Sequence, residues 1–271
     1  MTAILCSTGA LFPPGRADLD VITAVGARLG VDGLELLVTS SLAERLDEVA
    51  ESLATSSAPF PAIHARKSLG SNLPSDAAVA HLEETLRFAQ TIGASVVVLH
   101  LWNLPESDAD LPGRLEAIRV ACDVADGHDV TVAVETVPCL RSTPLRNLEA
   151  VLEHEPRATC ALDTEFLAHH GELEEALDSD WLWADDRVRH VHVKDYAGGL
   201  LDGEGVRRYL HPGEGTIDFV HLFDALHHRR YPGAVSLEAP AYLASGLPDV
   251  DGLRRSIGRM RHTPWRFEDR P

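Results

Sequence analysis

The stretch Arg189-His190-Val191-His192-Val193-Lys194-Asp195 reads as a short buried strand with two unlike sides. Side chains alternate across a strand, so Val191 and Val193 share one side while His190, His192 and Lys194 share the other. A strand that is apolar outside and polar inside suits a parallel barrel, with helices packed on the outer wall and chemistry kept within.

Seven further segments have strand character: residues 4–8, 31–36, 60–65, 95–100, 130–135, 158–163 and 234–238. Ser95-Val96-Val97-Val98-Leu99-His100 is the clearest, being β-branched, short and bounded by Gly93 and Asn103. Helical patterns separate them. One is capped by Asp18 and stopped by Gly30, one begins at Pro144, a short acidic one spans 171–177, and one is capped by Thr216. A closing helix covers about 250–260, followed by an extended tail. Eight strands alternating with helices, without a shift in composition, predict one α/β domain over residues 1–271, a single (β/α)8 TIM barrel. A doubly wound sheet would need a Gly-rich phosphate turn after its first strand, and Ser7-Thr8-Gly9-Ala10-Leu11 is not one.

The chain has 24 Lys plus Arg against 42 Asp plus Glu, a formal net charge of −18. Nucleic-acid binding rests on cationic contacts to phosphate, and no dense Lys/Arg run offsets this balance, so no nucleic-acid partner is expected. Cys6, Cys122, Cys139 and Cys160 are scattered, with no C-x-x-C pair, which speaks against a zinc ribbon or a disulfide framework. No apolar run approaches membrane-spanning length and the start lacks a basic leader pattern, so the expectation is a reduced, cytoplasmic, enzyme-sized protein with no membrane partner. A homo-oligomer is compatible with the sequence, which does not decide it.

Alternation applied to each strand gives an inward ring. Glu35, His64 and Arg66, His100 and Trp102, Ala133 and Glu135, Asp163, His190 and His192, and Ser236 and Glu238 all face in. The polar members lie near the C-terminal ends of their strands, where barrel enzymes keep their sites. Three acids and a histidine on four successive strands would repel one another without a cation. Glu135, Asp163, His192 and Glu238 are therefore the expected ligands of one divalent metal ion. His192 is preferred to His190 because it lies nearer the strand's C-terminal end. An oxygen-rich set with one imidazole suits Mn²⁺ first, with Mg²⁺, Co²⁺ and Zn²⁺ as alternatives.

The segments Val31-Asp32-Gly33-Leu34-Glu35, Ile63-His64, Leu99-His100, Val132-Ala133-Val134-Glu135, Ala161-Leu162-Asp163, His190-Val191-His192-Val193-Lys194-Asp195, His211-Pro212-Gly213-Glu214-Gly215 and Ser236-Leu237-Glu238 resemble, in order and spacing, the xylose isomerase-like TIM barrel superfamily, specifically its sugar phosphate isomerase/epimerase group. The resemblance spans nearly the whole chain. It implies the same four metal ligands, and it implies that Glu135 and Glu238 are also the catalytic pair, moving protons on a metal-bound ketose through an enediolate. One departure stands out: the family often carries His three residues after the sixth-strand Asp, where this chain has Phe166.

The expected function is thus a divalent-metal-dependent isomerase or epimerase of a sugar or sugar-like ketose. An inosose or keto-sugar dehydratase is the first alternative, and an abasic-site nuclease of the endonuclease IV kind or a non-catalytic sugar-binding barrel follow. The expected substrate is a small carbohydrate. His64, His100, Trp102 and Lys194 are candidate substrate-binding residues. Each has a plainer reading: core histidines for His64 and His100, packing for Trp102, an ion pair for Lys194. His64 and His100 would be ligands in a two- or three-zinc site. Glu35 is read as a partner of Arg66, His211 as a turn residue, and His169 and His170 as solvent-facing loop residues.

Overall fold

The computed structural model describes residues 2–103 and 108–261; the tail expected to be extended lies outside them. Eight parallel strands form the centre: β1 Ala3–Ser7, β2 Gly33–Leu37, β3 Ala62–His64, β4 Val96–Leu99, β5 Thr131–Glu135, β6 Thr159–Asp163, β7 Val188–Val193 and β8 Ala234–Leu237. Each pairs with the next in chain order, and β8 pairs back to β1, which closes the barrel. The molecule is a (β/α)8 TIM barrel.

The pleat sorts the strand residues as their chemistry requires. Val132, Val134, Cys160, Leu162, Val191, Val193, Val235 and Leu237 join the large core between sheet and helices. Val98, Ala133 and Ala161 form a small separate apolar cluster on the inner side. These small residues leave the lumen room for long polar side chains one layer above, towards the C-terminal ends. Register then sets the site: Asp163 lies beside His192 across β6 and β7, and His192 beside Ser236 across β7 and β8.

The helix Leu19–Leu29 starts where Asp18 accepts the Val21 amide at 3.2 Å and stops where Gly30 turns left-handed, as its sequence signals indicate. Two boundaries differ from expectation. The chain after β6 forms a helix at once, Thr164–His170, because Asp163 accepts the Phe166 amide at 3.0 Å; the acidic helix expected at 171–177 is Leu173–Asp178. The helix expected from Thr216 starts at Phe219, capped by Asp218. The turn before it is held elsewhere: Asp195 accepts the amides of Tyr196, Gly213, Gly215 and Ile217 at 2.8–3.1 Å.

Candidate active site

Four strand ends bring Glu135, Asp163, His192 and Glu238 together, with one ligand atom from each lying within 4.8 Å of the others. All but Glu238 are fully buried; its side chain keeps 12% of its surface, while Glu135 keeps 1%. Asp163 Oδ2 has no hydrogen-bond partner, yet lies 2.6 Å from Lys194 Nζ. Buried carboxylates converging on one point, with Asp163 compensated by the Lys194 ammonium, are what a cation would satisfy. The donor set of three carboxylates and one imidazole therefore fits a divalent ion.

His192 is held from both sides. Its Nε2 donates to Glu35 Oε1 at 2.8 Å and its Nδ1 to Glu135 Oε1 at 2.7 Å. Burial opposes a charged ring, but Glu35, Glu238 and Glu135 raise its pKa well above the ordinary value. Glu35 is itself fully buried, accepts Ser236 Oγ at 2.7 Å, and has His190 Nε2 at 3.4 Å. With Nε2–H committed to Glu35, Nδ1 is the nitrogen that faces the carboxylates, and it would give up its proton to ligate a cation. Among the described residues neither ring nitrogen of His190 makes a well-aligned hydrogen bond, and its Nε2 meets Glu35 as a longer ion-pair contact.

His64 and His100 stand on the other side of Glu135. His64 Nε2 lies 3.1 Å from Glu135 Oε2, and His100 Nε2 contacts the same oxygen. His64 Nδ1 donates to the Ala65 carbonyl at 2.8 Å and His100 Nδ1 to Asn103 Oδ1 at 2.7 Å. Burial lowers the His100 pKa, whereas His64, though buried, is raised by Glu135. His64, His100 and Glu135 likewise bring one ligand atom each within 4.8 Å of one another, close enough to share a metal ion. These histidines thus belong to the site and not to the outer core.

Lys194 completes the constellation. Besides Asp163, its Nζ contacts Glu238 Oε2. Burial would raise the Glu238 carboxyl, but Lys194 and His192 bring it down to about 2. Burial and the Glu135 and Glu238 charges push Asp163 up to about 7 against the pull of Lys194.

The structure corrects three expectations. Trp102 is 1% exposed, packed in the outer core with its indole N–H directed at the Val137 carbonyl at 3.4 Å, so it presents no open face for stacking. Arg66 does not pair with Glu35; it lines an outer cavity with Glu44, His81 and Glu84. His169 and His170 lie on the helix after β6, and His170 Nε2 accepts the Cys139 amide at 3.2 Å. His211 bonds Ser256 Oγ at 2.8 Å outside the site, in keeping with a turn residue. Asn103 and Thr164 were not anticipated; Asn103 orients His100, and Thr164 Oγ1 holds both backbone polar groups of Lys194.

Residues 24–263 match the family model described as xylose isomerase-like TIM barrel. The chain belongs to this family. Among solved structures, a 3-keto-D-glucoside 4-epimerase from E. coli in its apo form superposes with TM-score 0.71 at 20% identity, covering 96% of this chain and 99% of the other. A D-allulose 3-epimerase from Methylomonas sp. in complex with D-allulose gives 0.70 at 17%, with 94% of each chain covered. The IolI protein with a bound zinc atom gives 0.70 at 17%, covering 97% and 96%. No curated protein matches the chain in sequence. At these identities the structural likeness speaks for the xylose isomerase-like fold. At the position where the family often has His, this member places the Phe166 ring 4.8 Å from Lys194 Nζ. Among the described residues no helix is long and apolar enough to cross a membrane.

Proposed function

We propose that the protein is a divalent-metal-dependent isomerase or epimerase of a small ketose or keto-cyclitol, acting in a reducing, cytoplasmic setting. The observation that carries this reading is the convergence of Glu135, Asp163, His192 and Glu238 within 4.8 Å at four adjacent strand ends. Structural relatives that act on 3-keto-glucosides and on allulose support the substrate class. Mn²⁺ is the ion the donor set favours, since hard oxygens outnumber the single nitrogen.

A bound divalent ion would supply Lewis acidity towards adjacent carbonyl and hydroxyl oxygens. The chain's own residues do the rest. One of Glu135 and Glu238 removes the proton on the carbon next to the carbonyl; the electron pair of that C–H bond becomes a C=C as the C=O π pair moves onto the carbonyl oxygen, giving an enediolate. The proton is then returned. Return to the opposite face of the same carbon is epimerisation; return to the former carbonyl carbon, with the hydroxyl proton passing from one oxygen to the other, is isomerisation. His64 and His100 hold Glu135 in place, and the buried setting excludes water from the carbanion-like centre.

The test is a panel of ketoses and keto-inositols in heavy water with added Mn²⁺. Deuterium should enter next to the carbonyl, stop with chelator, and fall at least about a hundredfold in Glu135→Gln and Glu238→Gln. Release of water to give a dehydrated product would establish the lyase alternative instead. No exchange across the panel, with the ion bound, would overturn both.

A further inference from the structure

Lys194 reaches the ion site from the residue just beyond β7. Its Nζ lies 2.6 Å from Asp163 Oδ2 and touches Glu238 Oε2. These two carboxylates belong to the four-residue group that the proposed ion would use. Ammonium and divalent ion therefore draw on shared donors.

The lysine is anchored by its backbone and ion-paired at its tip. Its amide donates to Thr164 Oγ1 at 3.0 Å, and its carbonyl accepts from the same hydroxyl at 2.6 Å. With the backbone fixed, the flexible four-carbon stem is what remains to relocate the charge. While it holds the carboxylates, Nζ already lies 4.8 Å from the Phe166 ring, which Arg207 also flanks at 5.7 Å, and an aromatic face accepts an ammonium. A histidine at this position would compete for the ion instead of receiving the lysine. The charges also fit. A divalent ion together with one ammonium balances Glu135, Asp163 and Glu238, so the lysine has reason to give up the oxygens without leaving the neighbourhood.

We propose that Lys194 is an internal competitor for the divalent ion: it holds Asp163 and Glu238 through its ammonium, yields them on ion binding, and so sets how tightly the ion is kept. This rests on the metal-dependent reading above. It makes Lys194 a residue that tunes the ion site and hands a positive charge towards the Phe166 side of the pocket.

The test uses the full chain, chelator-treated, as wild type, Lys194→Met, Lys194→Gln and Asp163→Asn. Each is titrated with Mn²⁺ by calorimetry and melted with and without the ion. Removing the competing charge should tighten Mn²⁺ binding at least about tenfold in both lysine variants. The same variants should melt earlier without the ion and gain more from it than wild type. Asp163→Asn should lose most binding. Should Lys194→Met fail to fold, Lys194→Gln, which keeps a polar end, decides. Unchanged or weaker binding in the lysine variants, beside stoichiometric binding by wild type, overturns the competitor and leaves the metal reading standing. Absence of Mn²⁺, Mg²⁺, Co²⁺ and Zn²⁺ binding by wild type and lysine variants alike overturns the metal reading and this inference with it.

Discussion

Glu35 reaches the site only through His192, yet it decides which nitrogen of that ring faces the carboxylates. Glu35→Gln keeps an acceptor oxygen for Nε2–H, whereas Glu35→Leu removes it and frees the ring. Ion affinity should fall about ten- to a hundredfold in Glu35→Leu and much less in Glu35→Gln, measured by Mn²⁺ titration. Equal losses in the two variants would mean that charge, and not orientation, is what Glu35 supplies. At this scale the sequence is readable wherever a strand is regular. Alternation found Glu35, His64, Glu135, Asp163, His192 and Ser236 because each sits within a β-ladder. It failed for Arg66 and Trp102, which lie two and three residues past the ends of β3 and β4, where the pleat no longer governs direction. Lys194 was seen to face inward, but the reach of a flexible stem is a property of its surroundings. The ion pair was its plainer reading and is what the structure holds, but that it would take in both Asp163 and Glu238 is not legible in spacing.

Loops and helix ends are organised by acids that bind backbone. Asp108 accepts the amides of Leu140, Arg141 and Ser142 at 2.8–2.9 Å and Asn147 Nδ2 at 3.0 Å, and so fixes the β5 loop to the start of the helix Pro144–His154. Burial would raise its carboxyl, but Asn147 and the three amides pull it below the usual range. A carboxyl lowered in the folded state contributes stability above its unfolded pKa and loses it as pH falls through the folded value. Asp108→Asn should therefore reduce unfolding free energy by about 2 kcal/mol at pH 7. The deficit should narrow once pH drops below about 4, as seen in urea melts across pH. A deficit independent of pH would point to lost packing instead. The helix Thr164–His170 was overlooked although its signals are present, an Asp cap at 163 and a glycine stop at 171. The apolar pattern between them is too short to declare itself, and only the barrel's need for a connection after β6 makes it fold there.

At the scale of the molecule, the barrel brings together, on strands locked by eight ladders, acids that Lys194 and His192 compensate only in part, leaving repulsion that pushes up the Asp163 carboxyl. A bound ion should relieve it. Saturating Mn²⁺ at about a hundred times its Kd should add about 2.7 kcal/mol of stability, and chelator should reverse the rise in melting temperature. An unchanged melt would deny that the ion binds the folded chain. The architecture was the most legible level, because eight apolar-out, polar-in segments have few ways to bury both faces. The two carboxylates proposed as acid and base nonetheless differ in a way the strands do not reveal. Glu135 is clamped at both oxygens and sealed from bulk solvent, while Glu238 keeps a window of 12%. A hydrogen lifted by Glu238 can trade places with water sooner than one lifted by Glu135. Tritium washout should therefore run faster when catalysis starts from one stereoisomer than from its mirror partner at that carbon, giving the enzyme a directional isotopic memory.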